Sequence, residues 1–123
     1  MSPMEKQRLH LQSIIDQTAD EYGIPSKTLQ ITERRQAGVC RKNYIRIAQW
    51  TLLEPEAMQL YLVLHEIAHD IAEWKNKHNG YFREIEEKVL RSWGITAISR
   101  PKKYIKAVKM NGEWSTWNHL LGL

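Results

Sequence analysis

The sequence predicts an α+β domain that has three helices, a small antiparallel sheet and a C-terminal β-hairpin. Apolar residues recur at the three-and-four spacing of a helix in three segments, which are residues 1–22, 55–74 and 80–93. Apolar and polar residues alternate within residues 28–49, and this period of two is typical of strands. Asn111 and Gly112 stand between two further runs within residues 99–123 and indicate a hairpin turn.

The size and composition of the chain favour one globular domain over residues 1–123. The chain is 42% hydrophobic and 26% charged, and 123 residues can bury one modest core. No apolar run is long enough to cross a bilayer, and the first residues lack the apolar centre of a signal peptide. We therefore expect a cytoplasmic protein that has no membrane partner.

The first helix begins at a capping box. Ser2 is the expected N-cap, Pro3 suits the first turn, and Glu5 stands three residues after Ser2. Gly23 ends the segment. We expect this helix to pack behind the sheet without a chemical role, and we expect His10 to be a surface histidine.

Three short runs predict the sheet. Residues 28–34 alternate, Val39 and Cys40 follow Gly38, and residues 41–43 make a turn into the alternating run 44–48. Cys40 is the only cysteine, so the chain has neither a disulfide framework nor a Cys-x-x-Cys zinc site. Its expected role is that of a small core residue.

The second helix carries the motif around which the chain is organised. His65, Glu66 and His69 form the pattern H-E-x-x-H. Positions four apart on a helix lie on one face, so the two imidazoles can converge on one metal ion. Glu66 lies on a neighbouring line of the helix and can reach a metal-activated water as a general base.

The opposite side of the same helix predicts a core. Its apolar stripe consists of Leu60, Val63, Leu64, Ile67, Ile71 and Trp74. Met58, Leu62 and Ala72 share the side of the histidines. The site is therefore expected on the floor of a partly apolar cleft.

His78 is the candidate third ligand. An unbroken helix would carry His78 to the opposite face and about 13 Å along the axis, so the helix must stop first. Asn76, Asn79 and Gly80 can break it. Three histidines would leave a fourth position open, as in catalytic zinc sites, and we expect one zinc ion per chain.

The third helix offers a packing stripe and one further candidate. Phe82, Ile85, Val89 and Trp93 form the stripe, and Gly94 ends the helix. We expect Phe82 to pack under the metal helix and hold the loop of His78. Tyr81, at the start of this helix, is a candidate donor to the oxyanion of a tetrahedral intermediate, or else simply packs.

Two acids after the motif have two possible roles. Asp70 and Glu73 follow His69 on polar lines of the helix. Either can accept a hydrogen bond from a ligand imidazole, or both can simply face solvent.

The tail is basic and rich in tryptophan. Its cations are Arg100, Lys102, Lys103, Lys106 and Lys109. Such a hairpin could bind a phosphate backbone and stack on exposed bases. Alternatively, its lysines protect a sheet edge and its tryptophans complete the core. The net charge of the whole chain is only +4, so both interpretations remain open.

HEIAHDI followed by HNGYF resembles the SprT-like zinc metallopeptidases, the family of the Spartan proteases. Their pattern is H-E-x-x-H, a short spacer and H-G-x-x-F. His65, Glu66, His69, His78 and Phe82 match it, and the resemblance covers about residues 29–93. It implies a zincin-like zinc endopeptidase whose sheet edge holds the substrate backbone. In several members it also implies cleavage of DNA-associated proteins. Many members also carry a zinc ribbon, and the single cysteine of this chain predicts a minimal catalytic domain without one.

The sequence departs from the family pattern at one place. Asn79 stands where the family usually has glycine, and the glycine follows at Gly80. The turn after His78 must therefore be made differently.

The sequence predicts a zinc-dependent endopeptidase that acts on protein or peptide substrates. Glu66 is its general base and three histidines are its ligands. One alternative is an ImmA/IrrE-like repressor-cleaving peptidase, in which Glu84 or Glu86 replaces His78. Another is a non-catalytic zinc-containing module that binds DNA or protein. The natural substrate and the oligomeric state stay open.

Overall fold

The chain folds into an α+β structure in a computed structural model that describes residues 1–73, 78–100 and 107–118. The α-helices are α1 (Pro3–Glu21), α2 (Glu56–Ile71) and α3 (Gly80–Ser92), and a 3-10 helix spans Gln49–Leu53. The strands are β1 (Thr28–Thr32), β2 (Gly38–Cys40), β3 (Tyr44–Ala48), β4 (Ile95–Ser99), β5 (Ala107–Met110) and β6 (Glu113–Thr116). Within these ranges, none of the helices has the length and apolar character needed to cross a membrane.

Helix α1 begins and ends as the sequence predicts. The hydroxyl of Ser2 accepts a hydrogen bond from the backbone N–H of Glu5 at 3.1 Å. Gly23, with a φ of +68°, follows the end of the helix in the left-handed region that glycine tolerates. The buried face packs on α2 and β1 and consists of Leu11, Ile14, Ile15, Thr18 and Ala19.

The first sheet is mixed, so the predicted antiparallel arrangement over residues 28–49 is wrong. The strand order is β1-β3-β2, with β1 parallel to β3 and β2 antiparallel to β3. Strand β3 lies between its two predecessors and runs parallel to β1. Ile45, Ile47 and Ala48 of β3 are all buried, and the central position pairs this strand, the most buried of the three, on both edges.

The second sheet contains one strand more than the predicted hairpin. The turn at Asn111 and Gly112 is confirmed, since both have positive φ (54° and 80°) and β5 pairs antiparallel with β6. Strand β4 precedes them, and the sheet order is β4-β5-β6. Trp117 is buried whereas Trp114 is 54% exposed, so the tryptophans of the tail have different environments. Residues 101–106 and 119–123 lie outside the described ranges.

Helix α2 is the centre of the fold and contacts α1, α3 and strands of both sheets. Burial therefore extends around the helix, and Met58 and Leu62 on the histidine side are as inaccessible as Leu60, Val63, Leu64 and Ile67 of the predicted stripe. The helix ends at Ile71, short of the predicted residue 74. Glu73, with a φ of +65°, adopts the left-handed conformation that stops a helix. Trp74 and Asn76 lie outside the described residues.

A buried lysine joins the first sheet to α2. The Nζ atom of Lys27, which is 4% exposed, donates to the carbonyl oxygens of Arg41 and Lys42 at 2.8 and 2.5 Å. It also lies 3.6 Å from the Asp70 carboxylate. Asp70 is thus a partner of Lys27, a role that was not expected from the sequence. The contact holds the β2–β3 turn against the helix end that carries His69.

Replacing Lys27 tests this connection. Lys27→Met removes the donor for two turn carbonyls and the cation beside Asp70, so we expect the free energy of unfolding to fall by about 2–4 kcal/mol. Urea denaturation measures it. Lys42→Met is the matched control, because Lys42 is exposed and should change the value by less than about 0.5 kcal/mol. Equal effects of the two substitutions would contradict the connection.

Candidate metal centre

Three histidines converge beside α2. His65 and His69 stand one turn apart on the helix, and His78 returns to them after the helix has ended. Each offers one ligand nitrogen, and these atoms lie within 4.8 Å of one another. The ring centroids are 4.9, 5.4 and 4.8 Å apart for the pairs 65–69, 65–78 and 69–78. The group could therefore hold one metal ion.

The donor set suits zinc. Nitrogen ligands of tetrahedral zinc stand about 3.3 Å apart at bond lengths of about 2.0–2.1 Å, so the three rings need only a modest closure. His78 can supply it, because it is exposed and lies in the connection before α3. Within the described residues the group has three members, and Glu84 and Glu86 are not among them. The ImmA/IrrE-like alternative requires an acidic third ligand, whereas the third member of this group is His78.

Phe82 forms the base of the site, as the sequence led us to expect. Its ring is completely buried and stacks on His69 with centroids 4.4 Å apart. It meets His65 and His78 edge to face at 5.3 and 5.2 Å. One aromatic ring thus supports all three imidazoles.

The connection after His78 is closed by an asparagine cap. The side-chain oxygen of Asn79 accepts a hydrogen bond from the backbone N–H of Phe82 at 3.0 Å. Asn79 has an extended backbone, and Gly80 is the first residue of α3, where an added Cβ would meet only open space. Asparagine as N-cap therefore explains how the chain turns without the glycine of the family pattern.

The side chain of Glu66 extends from α2 toward the edge strand β2. Its side chain is buried, and burial raises the pKa of its carboxyl above the ordinary value. Strand β2 passes so close that a Cβ on Gly38 would stand 3.1 Å from Glu66 Oε2 and 2.9 Å from Leu62 Cδ1. Glycine at position 38 is what permits this approach, a role that was not predicted from the sequence. Cys40 on the same strand is a core residue as expected, and burial raises the pKa of its thiol to about 12.

His65 has a buried carboxylate behind its ring. Glu86 Oε2 contacts His65 Nδ1, and the hydroxyl of Tyr61 lies 3.1 Å from the same nitrogen. Burial by itself would raise the pKa of Glu86, but His65 and Arg100 outweigh that effect and hold the pKa at about 2. From the sequence, Glu86 was expected only as an alternative ligand. A usable signal was present, because Glu86 lies on the apolar line of α3 between Phe82 and Val89.

The remaining sequence candidates are not tested by these contacts. Tyr81 is 50% exposed at the start of α3, and its oxyanion role stays a prediction. Trp114 lies opposite Lys109 across the β5–β6 hairpin. Lys102, Lys103 and Lys106 lie outside the described residues, so nucleic-acid binding by the tail also stays a prediction.

Comparison with known protein families, curated proteins and solved structures finds no match to this chain. The case for a function therefore depends on the site. The possible metal-binding cluster of His65, His69 and His78 is its central feature.

The close approach of β2 to α2 gives a prediction about glycine. Gly38→Ala forces its new methyl group against Leu62 and Glu66, so we expect the free energy of unfolding to fall by about 1–3 kcal/mol. Thermal or urea denaturation of the metal-free protein measures this change. Gly80→Ala is the control, because a Cβ there meets nothing within 4 Å. A fully tolerated Gly38→Ala would contradict the tight contact.

The pKa of His69 gives a pH prediction for the metal-free protein. Burial and the neighbouring His65 lower it from 6.5 to about 4. Between these values the unfolded chain binds more protons than the folded chain, so stability should fall as the pH falls from about 6.5 to about 4. Urea denaturation with a chelator present measures this slope, and His69→Gln should reduce it. The raised pKa of Glu66 gives stability a pH dependence of the opposite sign, so the slope of the wild type is the sum of both contributions. An unchanged slope in His69→Gln would contradict the prediction.

Proposed function

We propose that the protein is a zinc-dependent endopeptidase. The observation that carries the proposal is the convergence of three imidazoles with Glu66 on the adjacent line of α2. A purely structural zinc site usually has four protein ligands, and the described residues contribute three to this group. A fourth position left open by these three histidines would suit a water or a substrate carbonyl.

The chemical roles follow from the donor set. When bound, zinc would acidify a water molecule and polarise the carbonyl of the cleaved bond. Glu66 takes a proton from the attacking water and delivers it to the leaving amine. Tyr81 is retained as a candidate donor to the developing oxyanion.

The substrate would bind along β2. In the described part of the chain, β2 pairs with β3 on one side only, and its Gly38 lies against Glu66. An extended peptide can pair with such an edge through main-chain hydrogen bonds, whatever its side chains. Because Gly38 packs closely on Glu66, a peptide bound along β2 would lie near the general base.

The resemblance to the SprT-like metallopeptidases supports the same function. It also suggests proteins associated with DNA as substrates. The exposed Trp114 opposite Lys109 is compatible with contact to single-stranded DNA. The rival non-catalytic module predicts bound metal without turnover.

Metal content and proteolysis test the proposal together. We expect one zinc per wild-type chain by elemental analysis, and greatly weakened binding in His78→Ala. Glu66→Gln should keep the zinc and lose about 10²–10⁴-fold in the cleavage rate of an unfolded protein substrate, since it lacks the general base. Each assay is run with and without single-stranded DNA.

His10→Ala is the matched histidine control, because His10 lies on the exposed surface of α1. It should retain both zinc and turnover. Wild-type protein that binds no zinc after loading would overturn the metal site. Bound zinc with equal turnover in Glu66→Gln would overturn the role of the glutamate.

A further inference from the structure

The Nδ1 side of His65 is fully engaged by protein groups. Glu86 Oε2 and the hydroxyl of Tyr61 both contact this nitrogen. A metal ion must therefore bind through Nε2, the nitrogen that remains. Because a carboxylate can only accept, the contact with Glu86 requires a proton on Nδ1 and selects the tautomer whose Nε2 lone pair is available.

The carboxylate of Glu86 is itself held by two arginines. Its side chain is 1% exposed, and Oε1 contacts both Arg83 Nη1, at 3.1 Å, and Arg100 Nη2. The other oxygen, Oε2, contacts His65. Each oxygen of this buried anion thus has a partner, and the carboxylate plane is restrained from three directions.

We propose that Glu86 is the positioning residue of the metal centre, and that Arg83 and Arg100 hold it in place. Glu86 accepts the Nδ1–H bond, orients the ring of His65 and aims its Nε2 atom at the metal. The inference rests on the proposed metal site. Removing such a partner of a ligand imidazole costs about 10–100-fold in metal affinity.

The placement of these residues distinguishes positioning from a general structural ion pair. Glu86 lies on the buried line of α3, where an apolar residue would pack without any desolvation cost. Its second oxygen is directed to a ligand ring instead of to a third cation. Arg100 follows β4, so this contact also connects the second sheet to the metal centre.

Glu86→Gln is the main test. It keeps the size of the side chain and removes its charge. We expect the zinc dissociation constant, measured by competition with a chromophoric chelator at neutral pH, to rise about 10–100-fold. The zinc-induced increase in melting temperature should shrink accordingly. Glu87→Gln is the matched control, because Glu87 is the next residue, is exposed and pairs with Arg91.

Two further measurements remain informative if Glu86→Gln does not fold. Arg100→Gln leaves the contact between Glu86 and His65 in place, and we expect a smaller loss of zinc affinity from it. Proton–nitrogen NMR of the zinc-loaded wild type should show a protonated Nδ1 and a metal-bound Nε2 at His65. Metal on Nδ1 would overturn the inference.

The outcomes separate this inference from the proposed function. If the wild type binds no zinc, the metal site itself fails. If the wild type binds zinc and Glu86→Gln binds it equally well, only the positioning role fails. A drop in the melting temperature of metal-free Glu86→Gln with unchanged zinc affinity would assign Glu86 a purely structural role and also overturn the inference.

Discussion

The geometry of the candidate site depends on where α2 ends. His65 and His69 need a regular helix, because its repeat places them on one face. His78 needs the same helix to stop within a few residues, because continued helix would carry it away. Glu73 in a left-handed conformation ends α2 directly after Ala72, and the chain can then return. The candidate metal centre thus depends both on the regular helix α2 and on the point at which that helix ends.

Two buried charged side chains, Lys27 and Glu86, each have several polar partners. Lys27 is surrounded by two carbonyl oxygens and a carboxylate, and Glu86 by two guanidinium groups and an imidazole. Isolated burial of either charge would cost several kcal/mol. Lys27 contacts Asp70 near the end of α2, and Glu86 contacts the candidate ligand His65. Both buried charges are therefore stabilised next to the candidate site. They hold the end of α2 and the ring of His65 in defined positions.

The three candidate ligands differ in how firmly they are held. His65 is restrained by Glu86, Tyr61 and the ring of Phe82. His78 is exposed and comes from a connection whose clearest support is the Asn79 cap. We therefore expect His65 and His69 to form a largely preformed pair of metal ligands on α2. His78, from outside the helix, would complete the site when the metal binds. A preorganised first pair reduces the ordering cost of metal binding.

The sequence by itself determined the three α-helices and the candidate ligands His65, His69 and His78. Helical spacing brought His65 and His69 together, and the capping box at Ser2 and the turn at Asn111 acted within a few residues. Such local signals depend on backbone geometry alone, so a sequence is enough to identify them. The tertiary structure decided the features that depend on contacts between residues far apart in the sequence. It placed β3, with its buried residues Ile45, Ile47 and Ala48, between β1 and β2, and it brought Glu86 behind His65 because α3 packs on α2. No spacing along the chain specifies which buried acid meets which imidazole, since that choice is made by the packing of whole elements.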